Sequence, residues 1–106
     1  MDSTEIIFDR MPSRYIKGRA TGAKTFYFSI DDRKYTVRIS PEECKVEEGK
    51  TEDRADCVLK TTAALFEKMV VKGKMPSPLD VMRGKVKTND PIALKKLREM
   101  FDFSGL

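Results

Sequence analysis

The feature that most constrains this chain is an alternation that runs from residue 26 to residue 39. Phe26, Phe28 and Ile30 alternate with Tyr27 and Ser29. After the polar step Asp31-Asp32-Arg33, Tyr35, Val37 and Ile39 alternate with Thr36 and Arg38. Successive side chains of a strand point to opposite faces, so each run has one apolar face. Two such runs joined by a short polar turn make a β-hairpin. Its apolar face is rich in aromatic side chains, and the rest of the chain has to cover it.

The flanking segments supply candidates for that cover. Ser3 can cap a helix that carries Ile7, Phe8 and Met11, which Pro12 should end or kink. A second short turn is expected at Tyr15 and Ile16, followed by a loop over residues 17–22. Beyond the hairpin, Cys44 and Val46 lie among Glu42, Glu43, Glu47, Glu48, Glu52 and Asp53, which suits a short edge strand guarded by charge. A fourth strand begins near Asp56 with Cys57, Val58 and Leu59. Thr61 or Thr62 then caps a helix with Leu65, Phe66, Met69 and Val70 at helical spacing, and Gly73 stops it. Ser77-Pro78 starts a short helix with Leu79 and Met82, ended by Gly84. Val86 marks a short fifth strand over residues 85–88. Asn89-Asp90-Pro91 starts a last helix with Ile92, Leu94, Leu97, Met100 and Phe101. Consecutive strands and segregated helices predict one α+β domain over residues 1–106: a five-stranded, mainly antiparallel sheet with helices on one face.

Composition removes most chemistry. The chain has no histidine, and with it go the commonest general base and the commonest metal ligand. Asp31-Asp32 suits a turn better than a metal site. Cys44 and Cys57 lack a CxxC spacing or a histidine to activate them, and read as small buried residues. Glycine-rich phosphate loops are absent. These features predict no enzyme, no cofactor and no metal. The longest apolar run is Ala63 to Phe66, far short of the roughly 20 residues of a membrane span. Acidic residues stand where a signal peptide needs basic ones, so a cytoplasmic location is expected. Residues 1–60 hold 12 basic and 12 acidic residues, while residues 61–106 hold 9 and 5, so the net charge of +4 lies in the C-terminal half. The aromatics of that half fit helix faces rather than base-stacking platforms, which argues against nucleic acid.

Six methionines, four of them in the C-terminal half, suit a core of irregular shape or an adaptable pocket. Periodicity alone leaves both open. Several short motifs bear on the choice. Ile7 to Tyr15, Phe26 to Ile30, Ala55-Asp56-Cys57-Val58-Leu59, the two Gly-Lys units Gly73-Lys74-Met75 and Gly84-Lys85-Val86-Lys87, and Asp90 with the Leu94 to Leu97 helix stand in a characteristic order. In that order and spacing the chain resembles the sterol carrier protein type 2 family of small lipid-binding domains. The resemblance implies an apolar tunnel between one sheet face and the helices, holding a fatty acyl chain, acyl-CoA, phospholipid or sterol-like ligand without catalysis. It also implies a possible partner enzyme of lipid metabolism. Phe26, Phe28, Val37, Leu65, Phe66, Met69, Met82, Leu94, Leu97 and Met100 are the candidate pocket lining. Lys74, Lys85 and Lys87 are the candidate rim, facing a ligand head or, transiently, an anionic membrane surface. The competing expectation is a solidly packed domain, free of ligand, that docks another protein or serves a lipid enzyme.

Overall fold

The alternating runs form the centre of a sheet. In the computed structural model, β1 (Lys24–Ile30) and β2 (Arg33–Ile39) pair antiparallel, with Phe26 opposite Val37 and Phe28 opposite Tyr35. The turn rests on Asp31, whose φ of 54° is tolerated by aspartate better than by most residues. Its N–H donates to the Thr61 carbonyl at 2.9 Å, and its carboxylate accepts from the Ala63 N–H at 3.0 Å. The turn therefore also anchors a helix start far along the chain. The structure describes residues 3–49, 54–74 and 78–103. Met75, Ser77, Glu52 and Asp53 lie outside these residues, as does the side chain of Ser3 and with it the expected first cap.

β3 (Cys44–Glu48) adds antiparallel to β2 as an edge strand. β4 (Cys57–Thr61) takes the other side of β1 and runs parallel to it, and β5 (Val86–Thr88) closes that side antiparallel to β4. The order is β3-β2-β1-β4-β5, with one parallel pair in a mainly antiparallel sheet. Asp56 fixes the start of the parallel pair. Its carboxylate accepts from the Thr25 N–H and its own N–H donates to the Thr25 carbonyl, both at 2.8 Å.

Among the described residues four helices complete the fold: α1 (Ser3–Arg14), α2 (Ala63–Val70), α3 (Pro78–Met82) and α4 (Pro91–Glu99). Pro12 was expected to end or kink α1, and the helix ends two residues beyond it, at Arg14. A proline near the C-terminal end costs only the bond to the carbonyl four residues back, and the Ser13 hydroxyl donates to the Arg10 carbonyl at 2.9 Å. At the second turn expected at Tyr15 and Ile16, the chain both pairs and turns, the Arg19 N–H donating to the Ile16 carbonyl at 3.3 Å. Tyr15 bridges to Phe101, and the Ile16 N–H donates to the Met100 carbonyl at 2.8 Å. Thr62 caps α2, accepting from the Leu65 N–H at 3.3 Å. Asp90 caps α4, accepting from the Ala93 N–H at 3.0 Å, with Pro91 in the first turn.

One face of the sheet carries the core. Phe8 of α1 sits between two rings, stacked on Tyr35 at 3.9 Å and on Phe66 of α2 at 5.2 Å, with Phe28 tilted against both Phe8 and Phe66. Leu94 and Leu97 of α4 are buried beside them. Ring pairs of this kind add about 0.5–1.5 kcal/mol each beyond the area they bury.

Candidate functional site

The candidate lining divides into three groups. Phe28, Phe66, Met69, Leu94 and Leu97, with Leu59, Val70 and Arg98, surround a gap of only about 10 Å³ between sheet and helices. A single water needs roughly that much, so the space an apolar tunnel would occupy is filled by side chains. Phe26 and Met100 line a larger pocket, and Val37, fully buried, is paired with Phe26 in the sheet. Leu65 is half-buried against the core, whereas Met82 is 84% exposed on α3. Lys74, Lys85 and Lys87 are exposed, and none of them borders either space.

The larger pocket holds about 310 Å³ and lies between the loop after α1, the start of β1 and the outward flank of α4. That is the lower end of the range for small-molecule sites, about 300–1,000 Å³. Its floor is apolar: Ala20, Phe26, Ile39, Ala93 and Met100. Its polar wall is Arg19, Lys24, Lys96 and Glu99, three cations against one carboxylate. No ion pair joins these four to another described residue. An apolar floor beneath unneutralised cations can receive an amphiphile, chain inward and anionic head outward.

Local structure explains how these residues meet. Lys24 has the same strand parity as Phe26 and Phe28, so it reaches the covered face just where the sheet begins. Ala93, Lys96 and Met100 lie three and four residues apart on one side of α4. The loop is pinned at its start. The Gly18 N–H donates to the Pro41 carbonyl at 2.8 Å, the Tyr15 hydroxyl donates to the Ser40 carbonyl at 2.5 Å, and Ile16 is tied to Met100. Lys96 belongs to the basic half that the sequence singles out. Arg19 and Lys24 come from the charge-balanced half and escaped notice. The parity of Lys24 was the available signal, whereas the approach of the Arg19 loop to α4 has no counterpart in periodicity.

A second opening lies where α2 and α4 end. Val70, Val71, Arg98, Phe101, Asp102 and Phe103 line about 320 Å³ there. Val70 and Arg98 border both this groove and the small interior gap. Gly73, with φ of 69°, permits the Arg98 guanidinium to lie close, since a Cβ at that position would stand 2.5 Å from it.

Neither cysteine thiol is activated. Burial pushes the Cys44 thiol up to about 12 and raises that of Cys57 as well, so both stay protonated at neutral pH. Among the described residues no group of three His, Cys, Asp or Glu is placed to hold a metal, and no helix is long and apolar enough to cross a membrane.

Comparison with known proteins bears on the fold. Among solved structures the chain is similar to Pisa1, an inverting sec-alkylsulfatase from Pseudomonas sp., with a TM-score of 0.78 and 17% identity. The match covers 95% of this chain but only 16% of the sulfatase. It is also similar to UbiJ-SCP2, a ubiquinone synthesis protein (TM-score 0.54, 13% identity, 94% of this chain and 74% of that one). A third similar structure is palmitated SCP2L2 from Aedes aegypti (TM-score 0.52, 18% identity, 92% and 93%). At these identities the likeness concerns the fold. A search of curated protein sequences finds no match. The model of the SCP-2 sterol transfer family matches residues 7–102, which include every strand, α2 to α4, most of α1 and all the residues of the pocket, and the chain therefore belongs to the SCP-2 sterol transfer family.

Proposed function

We propose that the chain binds and transfers an amphiphile with an apolar tail and an anionic head, such as a fatty acid or another acyl lipid. The observation that carries this reading is the pocket between the Arg19 loop and α4. Its apolar floor joins the core through Phe26 and Ile39, and its wall carries Arg19, Lys24 and Lys96. The tail would enter over Met100 and Phe26 and extend toward Leu94 and Leu97 as α4 yields. Met69 and Met100 are flexible enough to repack around it. Of the remaining candidates, Val37 lies beneath this path through its pairing with Phe26 and Leu65 packs on the core, whereas Met82, Lys74, Lys85 and Lys87 stand off the path. Two similar structures fit the ligand class: SCP2L2 is palmitated, and the sulfatase is named for alkyl sulfates, which are anionic amphiphiles. The sulfatase's catalysis belongs to an enzyme six times longer than the matched part.

Each methylene buried contributes about 0.8 kcal/mol, roughly fourfold in affinity. Delipidated protein titrated with fluorescent fatty acids of increasing length should bind more tightly with each step until the space is full. Lack of saturable binding at every length would sink the reading.

The filled interior favours a second reading, an accessory domain packed solid and docked on a partner enzyme of lipid metabolism. The gap of about 10 Å³ is its support, and the matched parts of the sulfatase and of UbiJ-SCP2 show the fold inside larger or biosynthetic proteins. Native mass spectrometry of protein as expressed separates the two. Co-purified lipid supports the first, and a lipid-free mass with a bound protein supports the second.

A further inference from the structure

The segment from α3 to β5 carries features that the pocket does not use. Leu79 and Met82 lie three residues apart on α3, one face of a short helix, and are 52% and 84% exposed. Only Ile92, among the other large apolar side chains described, is as open. Arg83, Lys85 and Lys87 follow directly, all exposed. β5 is an edge strand, and its Lys87 stands opposite Lys60 of β4. Like charges directly opposite on a sheet are destabilising, and the next residue in that row, Ser29 of β1, brings no acid to offset them. Asp80, the acid of α3, is half-buried and already engaged. The corner is held in place by its backbone. The Lys85 N–H donates to the Asp80 carbonyl at 3.0 Å, and the Lys85 carbonyl accepts from the Thr61 hydroxyl at 2.9 Å.

We infer that this corner is a membrane-docking surface: Leu79 and Met82 enter the headgroup layer of an anionic bilayer while Lys60, Arg83, Lys85 and Lys87 meet its phosphates. An interfacial element combines exposed apolar side chains with cations that meet anionic headgroups, and residues 79–87 carry both: exposed Leu79 and Met82, then exposed Arg83, Lys85 and Lys87. A folded protein partner of ordinary size would need a broader apolar patch than two side chains. A nucleic acid would need stacking platforms, and no aromatic residue lies between residues 67 and 100. The inference rests on the lipid-transfer reading for its purpose, since a carrier has to meet membranes, but docking is measured separately from ligand binding.

The chain has no tryptophan, so Leu79→Trp and Met82→Trp each give a unique reporter, with Ile92→Trp on α4 as control. The two α3 reporters should shift to the blue with mixed phosphatidylcholine and phosphatidylserine vesicles and stay unchanged with phosphatidylcholine alone. The control should stay unchanged with both. Flotation of the unaltered protein with the mixed vesicles should weaken as salt rises. Lys85→Gln and Lys87→Gln should each lower vesicle affinity about fivefold. Leu79→Ser with Met82→Ser, checked for folding by circular dichroism, should abolish flotation. Failure to float, flotation with silent α3 reporters, or flotation that survives the serine pair would each overturn the inference. Fatty-acid binding by unaltered protein without vesicles tests the lipid-carrier reading on its own. If that binding fails while docking holds, the carrier reading falls and the surface stands.

Discussion

Two regions of the same covered face behave differently. Where α1 and α2 meet β1 and β2, Phe8, Phe28, Tyr35 and Phe66 stack ring on ring, and Phe8, Phe28 and Phe66 are almost wholly buried. Between α4 and the start of β1, the side chains facing the space include Ala93, Met100, Lys24 and Lys96, and a pocket remains between them. Large flat rings fill volume with little freedom to rearrange, whereas small and flexible residues leave room and can move. The fold thus places a rigid block beside an adaptable flank, and the pocket lies on the flank.

The largest test of that contrast is truncation on each side. Phe66→Ala should cost about 3–5 kcal/mol of stability. Met100→Ala, at a half-buried position lining the pocket, should cost less than half of that in the same urea denaturation. Equal losses would mean that the flank carries as much of the core as the aromatic block. Next, Lys24→Gln combined with Lys96→Gln should weaken binding of a fluorescent fatty acid about tenfold, roughly 1.4 kcal/mol, with the urea midpoint unmoved. A shift in stability without loss of affinity would place both lysines in the scaffold rather than the site.

A smaller effect is expected at Gly73. A side chain there meets the Arg98 guanidinium, the mobile end of a long side chain, and adopts a left-handed φ of 69°. Gly73→Ala should therefore cost about 1–2 kcal/mol, mainly from the backbone, and adding Arg98→Ala should recover little of it. The smallest effect is confined to alkaline pH. The Cys44 thiol is raised from 9.0 to about 12 by burial, so its contribution is whole below pH 9 and declines as pH climbs toward 12. The stability of Cys44→Ala should fall less steeply across that window than that of the unaltered protein. Parallel slopes would show that Cys44 is open to solvent.

The aromatic block was the legible part. Its residues follow the period of two in β1 and β2 and the helical spacing of α1 and α2, and the caps fall on Thr62, one of the two threonines expected, and on Asp90 within the expected start Asn89-Asp90-Pro91. The pocket was legible only in part, through Phe26 and Met100. Arg19, Lys24 and Lys96 meet because the chain after α1 is stitched to residues 40, 41 and 100, and such long-range stitching has no local pattern. Pro12 marked the end of α1 to within two residues, because proline's cost depends on where in a helix it falls. The parallel partner of β1 was equally hidden, since the strand pattern of residues 57–61 fits either direction.

That parallel pair sets an order of events for the folding chain. β1 and β2 meet across a two-residue turn, whereas Phe26 meets Cys57 only after everything between has been laid aside. Closing that longer loop costs entropy before its contacts repay it. The hairpin can thus form early and wait, with its row of rings open to water, until β4 arrives and brings α2 over it. During that interval the bare aromatic face is the part of the nascent protein most exposed to sticking to its neighbours, and the glutamates along β3 guard the free edge beside it.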